Sequence, residues 1–463
     1  MRDQIEDIRA RGAELVIVGN GAEHFAAAFR EDYELDCPIL VDPELRAYRA
    51  AGLRRGRVEI LSPRLPINAL RALRSGFRPA RVQGDVWQLG GVFVIQPDGN
   101  LTYRYVSRDA GDHPPVDAIL AALETGAEPI REISETPAAE AWFGRALSRV
   151  VDPFIVPSFD RTGFRIHSLT FRADDLEVDL SGRRCLVTGA NSGIGYESAL
   201  ALADLGAEVA LLCRDRERAE QAAQQIREQS GNARVSVELV DVADLGSVRA
   251  AAARLASKPV DVLVHNAGVL PDERIETDDG LESTWATHVI GAFLLTRLLR
   301  GSLEKSSDGR VIWVSSGGMY TRRLNLDDPN WTQRDYDGVI AYAETKRAQV
   351  VLSELWAERL RGSSVVVNAM HPGWADTPSV KYSLPFFYRV TRNILRTPAE
   401  GADTVVWLAA SPRARESTGR FFFDRQDRRT HLLPFTGESE EDRRALWELC
   451  ERISAKAEPG GAA

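Results

Sequence analysis

The sequence has little from which to build a disulfide framework or a metal cluster. Its four cysteines, Cys37, Cys185, Cys213 and Cys450, are scattered over 463 residues without a CxxC pair. That argues against both a disulfide scaffold and a cysteine-type zinc site. The seven histidines include no HExxH, so no metal is expected. Nothing approaches 18 uninterrupted apolar residues, the length at which a spanning helix would be suspected. The N-terminal stretch MRDQIEDIRARGAELVIVG is charged before it is apolar, and its apolar run is too short for a signal peptide. Lys and Arg number 58 against 67 Asp and Glu, a net charge of −9. A uniformly basic nucleic-acid footprint is thereby excluded, and no nucleic-acid partner is expected. These absences describe a protein of a reducing compartment, expected to be cytoplasmic. What is present is globular in proportion: 44% hydrophobic and 27% charged residues. At about 150 residues per domain, the length suggests roughly three units.

Residues 1–125 open with a polar helix and a strand-like run, Glu14 to Val18, broken by Gly19-Asn20-Gly21. A helix near Phe25–Tyr33 and a short strand, Ile39-Leu40-Val41, follow. Val92–Ile95 and Leu101–Tyr105 flank Pro97-Asp98-Gly99, a hairpin turn signal. Val116–Leu123 closes the region as a helix. The order is that of an α/β domain. The stretches FREDYELDCPILVDPELRAYRAAGLRRG and QLGGVFVIQPDGNLTYRY resemble the thioredoxin-fold, peroxiredoxin-like antioxidant family of the AhpC/TSA type. In that family the reactive cysteines lie on a strand and helix that would precede the first helix here. The resemblance therefore implies a truncated, redox-inactive domain, with Cys37 a packing residue. Residues 126–178 read as a linker and N-terminal extension. Trp142, Phe143, Leu147, Val150 and Val151 could share one apolar helix face. Its polar side is not rich in Lys or Arg, which favours docking on protein over lying on a membrane.

Residues 179–440 alternate strand and helix patterns. Arg184–Val187, Glu208–Cys213, Val235–Val240, Val260–Val264, Arg310–Val314, Val365–Ala369 and Gly419–Phe423 are strand candidates. Continuously apolar strands separated by helices predict a doubly wound, Rossmann-type parallel sheet. The fold class is thus α/β, with this sheet preceded by a smaller, incomplete thioredoxin-like domain. Residues 441–463 hold an amphipathic helix, Asp442 to Ile453, and a Gly-rich tail expected to be disordered.

Thr188-Gly189-Ala190-Asn191-Ser192-Gly193-Ile194-Gly195 links the first of these strands to a helix. Such glycines let main-chain N–H groups approach a pyrophosphate at a helix N-terminus. The TGxxxGxG spacing resembles the short-chain dehydrogenase/reductase family, and further landmarks follow in order. They are Asp241-Val242, His265-Asn266-Ala267-Gly268, Ser315-Ser316, the YxxxK motif of Tyr342 and Lys346, and Pro372-Gly373 with Thr377. The segments 315–319, 341–350 and 371–378 narrow the resemblance to the branch called family member 12. The resemblance implies that Gly189, Ser192, Gly193, Ile194, Gly195, Asp241, Val242, Asn266, Ala267, Gly268, Pro372, Gly373 and Thr377 hold a nicotinamide nucleotide.

Tyr342 and Lys346 are four apart on a helix and share a face. A phenol near pKa 10 is a poor base until a neighbouring ammonium and an oxidised nicotinamide favour its phenolate. Tyr342 would then exchange the proton, Ser316 would hydrogen-bond the substrate oxygen, and Lys346 would also hold the ribose. Ser315 would face the sheet or the cofactor. Arg214, just past the second strand, can pair a 2′-phosphate, so NADP is expected ahead of NAD, although the adjacent Asp215 points the other way. His288 stands where the family's catalytic tetrad has Asn. One expectation is that its ring joins a proton relay and adds an ionisation near about 6.5; the other is that it only packs. The aromatic run Val380–Tyr388 would cover a substrate with a sizeable apolar body, with Tyr320 and the loop Arg322–Asp337 as a second wall. The expected activity is hydride transfer between NADP(H) and a small-molecule carbonyl or alcohol. A non-catalytic NADP-binding scaffold or redox sensor is the alternative. The family resemblance leaves a homo-oligomer open.

Overall fold

The computed structural model describes residues 158–432 and 436–456 without a break. Before them it describes 5–20, 35–42, 90–96, 101–107 and 116–124, with isolated positions between. The expected helix near Phe25–Tyr33 falls largely outside the described residues. The apolar face from Trp142 to Val151 and the tail after Glu458 fall wholly outside them. The chain forms two units, residues 1–134 and 135–463.

In the first unit, α1 (Ile5–Ala10) leads into β1 (Ile17–Gly19), which pairs in parallel with β2 (Ile39–Val41). The expected hairpin is present: β3 (Gly91–Ile95) runs antiparallel to β4 (Leu101–Val106), and α2 (Val116–Glu124) follows. Cys37 lies on the approach to β2, buried with Ile5 and Leu35.

In the second unit, helix α3 (Arg161–Ser168) precedes an eight-stranded sheet. Its strands are β5 (Arg184–Thr188), β6 (Glu208–Cys213), β7 (Val235–Leu239), β8 (Val262–His265), β9 (Gly309–Val314), β10 (Val365–Met370), β11 (Phe421–Phe423) and β12 (Gln426–Asp427), in the order β7-β6-β5-β8-β9-β10-β11-β12. All neighbours pair in parallel except β11 with β12. The order reverses between β5 and β8, and in such sheets ligands bind at that switch, beyond the C-terminal strand ends.

Helices α4 (Gly193–Asp204), α5 (Arg216–Ser230) and α11 (Pro398–Ala410) pack on one face. Helices α6 (Leu245–Leu255), α7 (Gly291–Leu303) and α8 (Gly338–Arg359) pack on the other. Both faces being covered explains why the central strands carry apolar residues at successive positions, such as Leu186-Val187 and Leu263-Val264, all inaccessible to solvent. Aspartates start the helices: Asp215, Asp244 and Asp337 accept main-chain N–H groups from α5, α6 and α8. A last helix, α12 (Glu440–Lys456), lays Trp447 against Phe293 and Trp356, each ring pair 4.9 Å apart.

The strand β12 was not foreseen. It reverses through Asp424 and Arg425, both with positive φ (49° and 58°), the signature of a type I′ turn, which sequence reading associates with Asn-Gly or Asp-Gly. Two short helices, α9 (Pro378–Ser383) and α10 (Pro385–Thr391), lie between β10 and α11.

All four cysteines are buried and reduced. Burial pushes the Cys37 thiol up, Cys213 to about 11 and Cys185 to about 12, and raises Cys450 as well. Since the thiolate is the reactive form, a rise of two units lowers its fraction about a hundredfold. Ellman's reagent at neutral pH should therefore titrate all four thiols only after denaturant is added; rapid labelling of Cys37 in the native protein would contradict this packing.

Candidate active site

The predicted site residues gather at the C-terminal ends of β5, β6, β8, β9 and β10. Thr188, closing β5, ties two strand ends together. Its Oγ1 accepts the N–H groups of Asn266 (2.9 Å) and Ala267 (3.0 Å) beyond β8. The Asn266 amide returns a hydrogen bond to the Thr188 carbonyl at 2.9 Å. The close approach dictates the glycines. Gly189 has φ +66°, and a Cβ there would lie 2.9 Å from Ala267 Cα; a Cβ on Gly195 would overlap the Asn266 amide. Ser192 begins α4 with no side-chain capping bond, which leaves the first-turn N–H groups of this twelve-residue helix to a ligand. Gly193, at φ +58°, faces Thr377, and Ile194 packs below against Gly401. This uncapped helix start, with its bare glycine cradle, fits a pyrophosphate.

Arg214 is exposed one residue past β6. Asp215, expected to compete for a ribose, instead caps α5: its Oδ1 accepts the Arg218 N–H at 3.0 Å. Asp241 is folded back in the same manner, with Oδ1 on the Ala243 N–H at 2.9 Å. The carbonyl of Val242 occupies the space of any side chain at residue 291, so Gly291 is required.

Beside these lie the residues expected to carry the chemistry. Ser315 donates to the Lys346 carbonyl at 2.8 Å and so faces α8. Ser316 Oγ accepts the Gly318 N–H at 3.2 Å and acts on the Tyr342 phenol from nearby. Burial raises the Tyr342 pKa, and Ser316 opposes that rise. Lys346 Nζ, 5.3 Å from the centre of the Tyr342 ring, donates to the Val314 carbonyl at 2.8 Å and to Gln349 Oε1 at 3.0 Å. Burial lowers its pKa to about 7.

His288 sits in a single π-helical turn, Ala286–Ile290, ahead of α7. Its Nε2 accepts the Val269 N–H at 2.9 Å, so the proton is on Nδ1, which donates to Thr345 Oγ1 at 2.8 Å. Both ring nitrogens are thus held by protein groups. Burial, aided by the charge of Lys346, keeps the ring neutral, well below the usual histidine range. Desolvation thus moves this ring's ionisation well below the 6.5 expected of a free histidine. His265, at the family's first Asn position, is likewise buried, on Thr296 Oγ1 at 2.7 Å.

One assembly at the site was not anticipated. Gly373 (φ +71°) follows Pro372 and has no room for a Cβ against the Arg396 guanidinium and the Phe159 carbonyl. Arg396, fully buried, forks onto Asp424 at 2.6 and 2.9 Å and donates to the carbonyls of Ser158 and Phe159, both at 2.9 Å. His167 Nδ1 meets the same Asp424 at 2.5 Å. A lone Arg or Asp in a sequence is read as solvated, and neither residue belongs to a motif. Beyond Thr377, the rings of Tyr382 and Phe386 are 75% and 78% exposed, while Phe387 packs edge-on against Trp374. Tyr320, expected as a pocket wall, is buried against Phe421 and donates to the Arg429 carbonyl at 2.9 Å.

Residues 183–385 match the family model described as short chain dehydrogenase, and residues 1–109 match that described as AhpC/TSA antioxidant enzyme. The chain is 40% identical over 319 residues to dehydrogenase/reductase SDR family member 12 of Bos taurus, a match covering 68% of this chain and 97% of that protein. The chain belongs to the short-chain dehydrogenase/reductase family. The Homo sapiens member 12 is 39% identical over 316 residues, covering 68% of this chain and 96% of its own length. Retinol dehydrogenase 14 of Mus musculus is 37% identical over 290 residues, covering 59% of this chain and 86% of its own. As a member of this family, the protein is an oxidoreductase of alcohol and carbonyl groups that works with a nicotinamide nucleotide. Among the described residues, no helix is long and apolar enough to cross a membrane, and no metal-binding cluster occurs.

Two consequences of the buried histidines can be measured. His288→Ala leaves the Val269 N–H unsatisfied and opens a cavity, so urea unfolding should show a loss of roughly 2–4 kcal/mol. Burial also holds His265 and His371 down to about 3. The folded state then refuses protons that the unfolded chain binds below about pH 6.5. Stability should be complete above that pH and fall below it, by up to about 1.4 kcal/mol per pH unit for each such histidine. A flat urea midpoint from pH 7 to 5 would rule this out.

Proposed function

We propose that the second unit interconverts a carbonyl and an alcohol on a substrate with a sizeable apolar body, using NADP(H) in preference to NAD(H). The observation that carries this reading is the grouping of Tyr342 with Lys346, whose Nζ lies 5.3 Å from the ring centre, and with Ser316, which lowers the phenol's pKa, near an open helix N-terminus. The nucleotide fits the glycine cradle of Gly189, Gly193 and Gly195 and supplies or accepts the hydride. The protein's own groups handle the proton. In reduction, Ser316 hydrogen-bonds the substrate oxygen and Tyr342 gives it a proton as the carbonyl carbon gains hydride; oxidation runs the same path backwards. The ammonium form of Lys346 favours the phenolate left on Tyr342. The NADP preference is supported by Arg214, exposed at the end of β6, and by the engagement of Asp215 as a helix cap. The apolar substrate is supported by the uncovered rings of Tyr382 and Phe386. The scaffold alternative was motivated by His288; its ring packs edge-on against Tyr342 at 5.4 Å, with both nitrogens engaged by Val269 and Thr345.

Purified protein assayed for NADPH oxidation against apolar aldehydes, ketones and quinones tests the activity. Tyr342→Phe should lower turnover roughly a hundredfold or more while leaving the NADPH Kd unchanged; normal turnover in that variant would remove Tyr342 from the chemistry. Arg214→Asp should weaken NADPH by about ten- to a hundredfold and NADH much less. Equal wild-type affinities for the two nucleotides would end the NADP assignment.

A further inference from the structure

Lys346 is a buried lysine without a carboxylate. Its ammonium rests on two neutral oxygens, the Val314 carbonyl at the end of β9 and Gln349 Oε1 on its own helix. Gln349 is buried too, three residues on from Lys346 and therefore on the same face. Its Nε2 donates to the His288 carbonyl at 2.9 Å. The amide can point only one way. Reversed, it would set an NH2 group against the ammonium and an oxygen against a carbonyl. The carboxamide is therefore a protein-held bridge from Lys346 to the main chain of the π turn.

We propose that Gln349 is a positioning residue for the reaction: its amide, anchored on the His288 carbonyl, aims the Lys346 ammonium toward Tyr342 and determines how firmly Lys346 keeps its proton. This rests on the reading of Tyr342 and Lys346 as the pair that handles the proton. Residue 288 then acts on Lys346 through its carbonyl, and its side chain serves Val269 and Thr345 instead.

The other groups facing Lys346 carry no opposing charge. Tyr342 is a neutral phenol on α8, Ser315 is uncharged at the end of β9, and the His288 ring is neutral in the π turn. No carboxylate acts on the ammonium; burial alone moves it. An acceptor that neutral and that close is the natural control point. Exchanging it for an anion or for nothing should move the lysine in opposite directions.

The chain has only five lysines, Lys258, Lys305, Lys346, Lys381 and Lys456, so each can be followed by NMR in the full-length protein labelled with 13C at lysine Cε. The Lys346 signal is assigned as the one missing in Lys346→Met. In the wild type it should titrate near 7, well below the usual lysine value. Gln349→Glu should raise the midpoint by about one unit or more, a tenfold change in the equilibrium. Gln349→Met should lower it. The pH–rate profile of NADPH-dependent carbonyl reduction should move in the same two directions. Far-UV circular dichroism and the urea midpoint show that each variant is folded. A Lys346 midpoint unmoved in both Gln349→Glu and Gln349→Met would overturn the proposal. Opposite shifts in a protein that reduces no carbonyl of the panel would leave Gln349's hold on Lys346 standing and refute the oxidoreductase reading of the pair.

Discussion

The buried pair of Arg396 and Asp424 is the constraint on which the site's shape depends. Three segments distant in sequence meet on it: the lead-in at Ser158–Asp160, the Pro372-Gly373 turn after β10, and the β11–β12 corner. Every donor of the guanidinium fork is directed at one of them. The carboxylate takes both terminal nitrogens and His167 besides, and these partners hold it well below the usual carboxylate range despite its burial. Stripping one partner from such a buried pair commonly costs about 3–5 kcal/mol, because the other charge is stranded. Here the stranded charge would also release the Pro372-Gly373 turn, which leads to Thr377 opposite Gly193.

The parts of this architecture that sequence reveals and the parts it hides differ in kind. The parallel strands were legible because a sheet covered on both faces needs apolar residues at consecutive positions, as in β5, β6 and β8. The glycine turn after β5 was legible because close main-chain approach leaves only glycine at 189 and 195, and left-handed backbone favours it at 193. Helix caps were less so: Asp215 read as a rival for the ribose until its bond to the Arg218 N–H was seen. Arg396, Asp424 and Gln349 were invisible because nothing local marks a polar residue as buried; partners 28 or more residues away do so. His288 shows the same gap from the other side. Its departure from the family pattern was plain, but its protonation depends on desolvation, a property of the packed molecule alone.

Burial acts on Tyr342 and Lys346 in one direction, toward the uncharged form of each. The phenol is pushed up and the ammonium down. Above neutral pH the resting site therefore carries little charge at its floor, in a chain whose net charge is −9. The charged form of each group is disfavoured by the same desolvation.

The corner at Asp424-Arg425 has a consequence at the rim of the sheet. A parallel sheet ending on an open strand presents a row of unpaired main-chain groups on which another chain can template. Here the last strand turns back after two residues that need left-handed backbone, one tied to Arg396 and the other to Asp403 at 2.6 Å. The strand that results, Gln426–Asp427, is two residues long, ends in an exposed aspartate, and runs into Arg428-Arg429. It presents too few rungs, and too much charge, for edge-to-edge aggregation to start there.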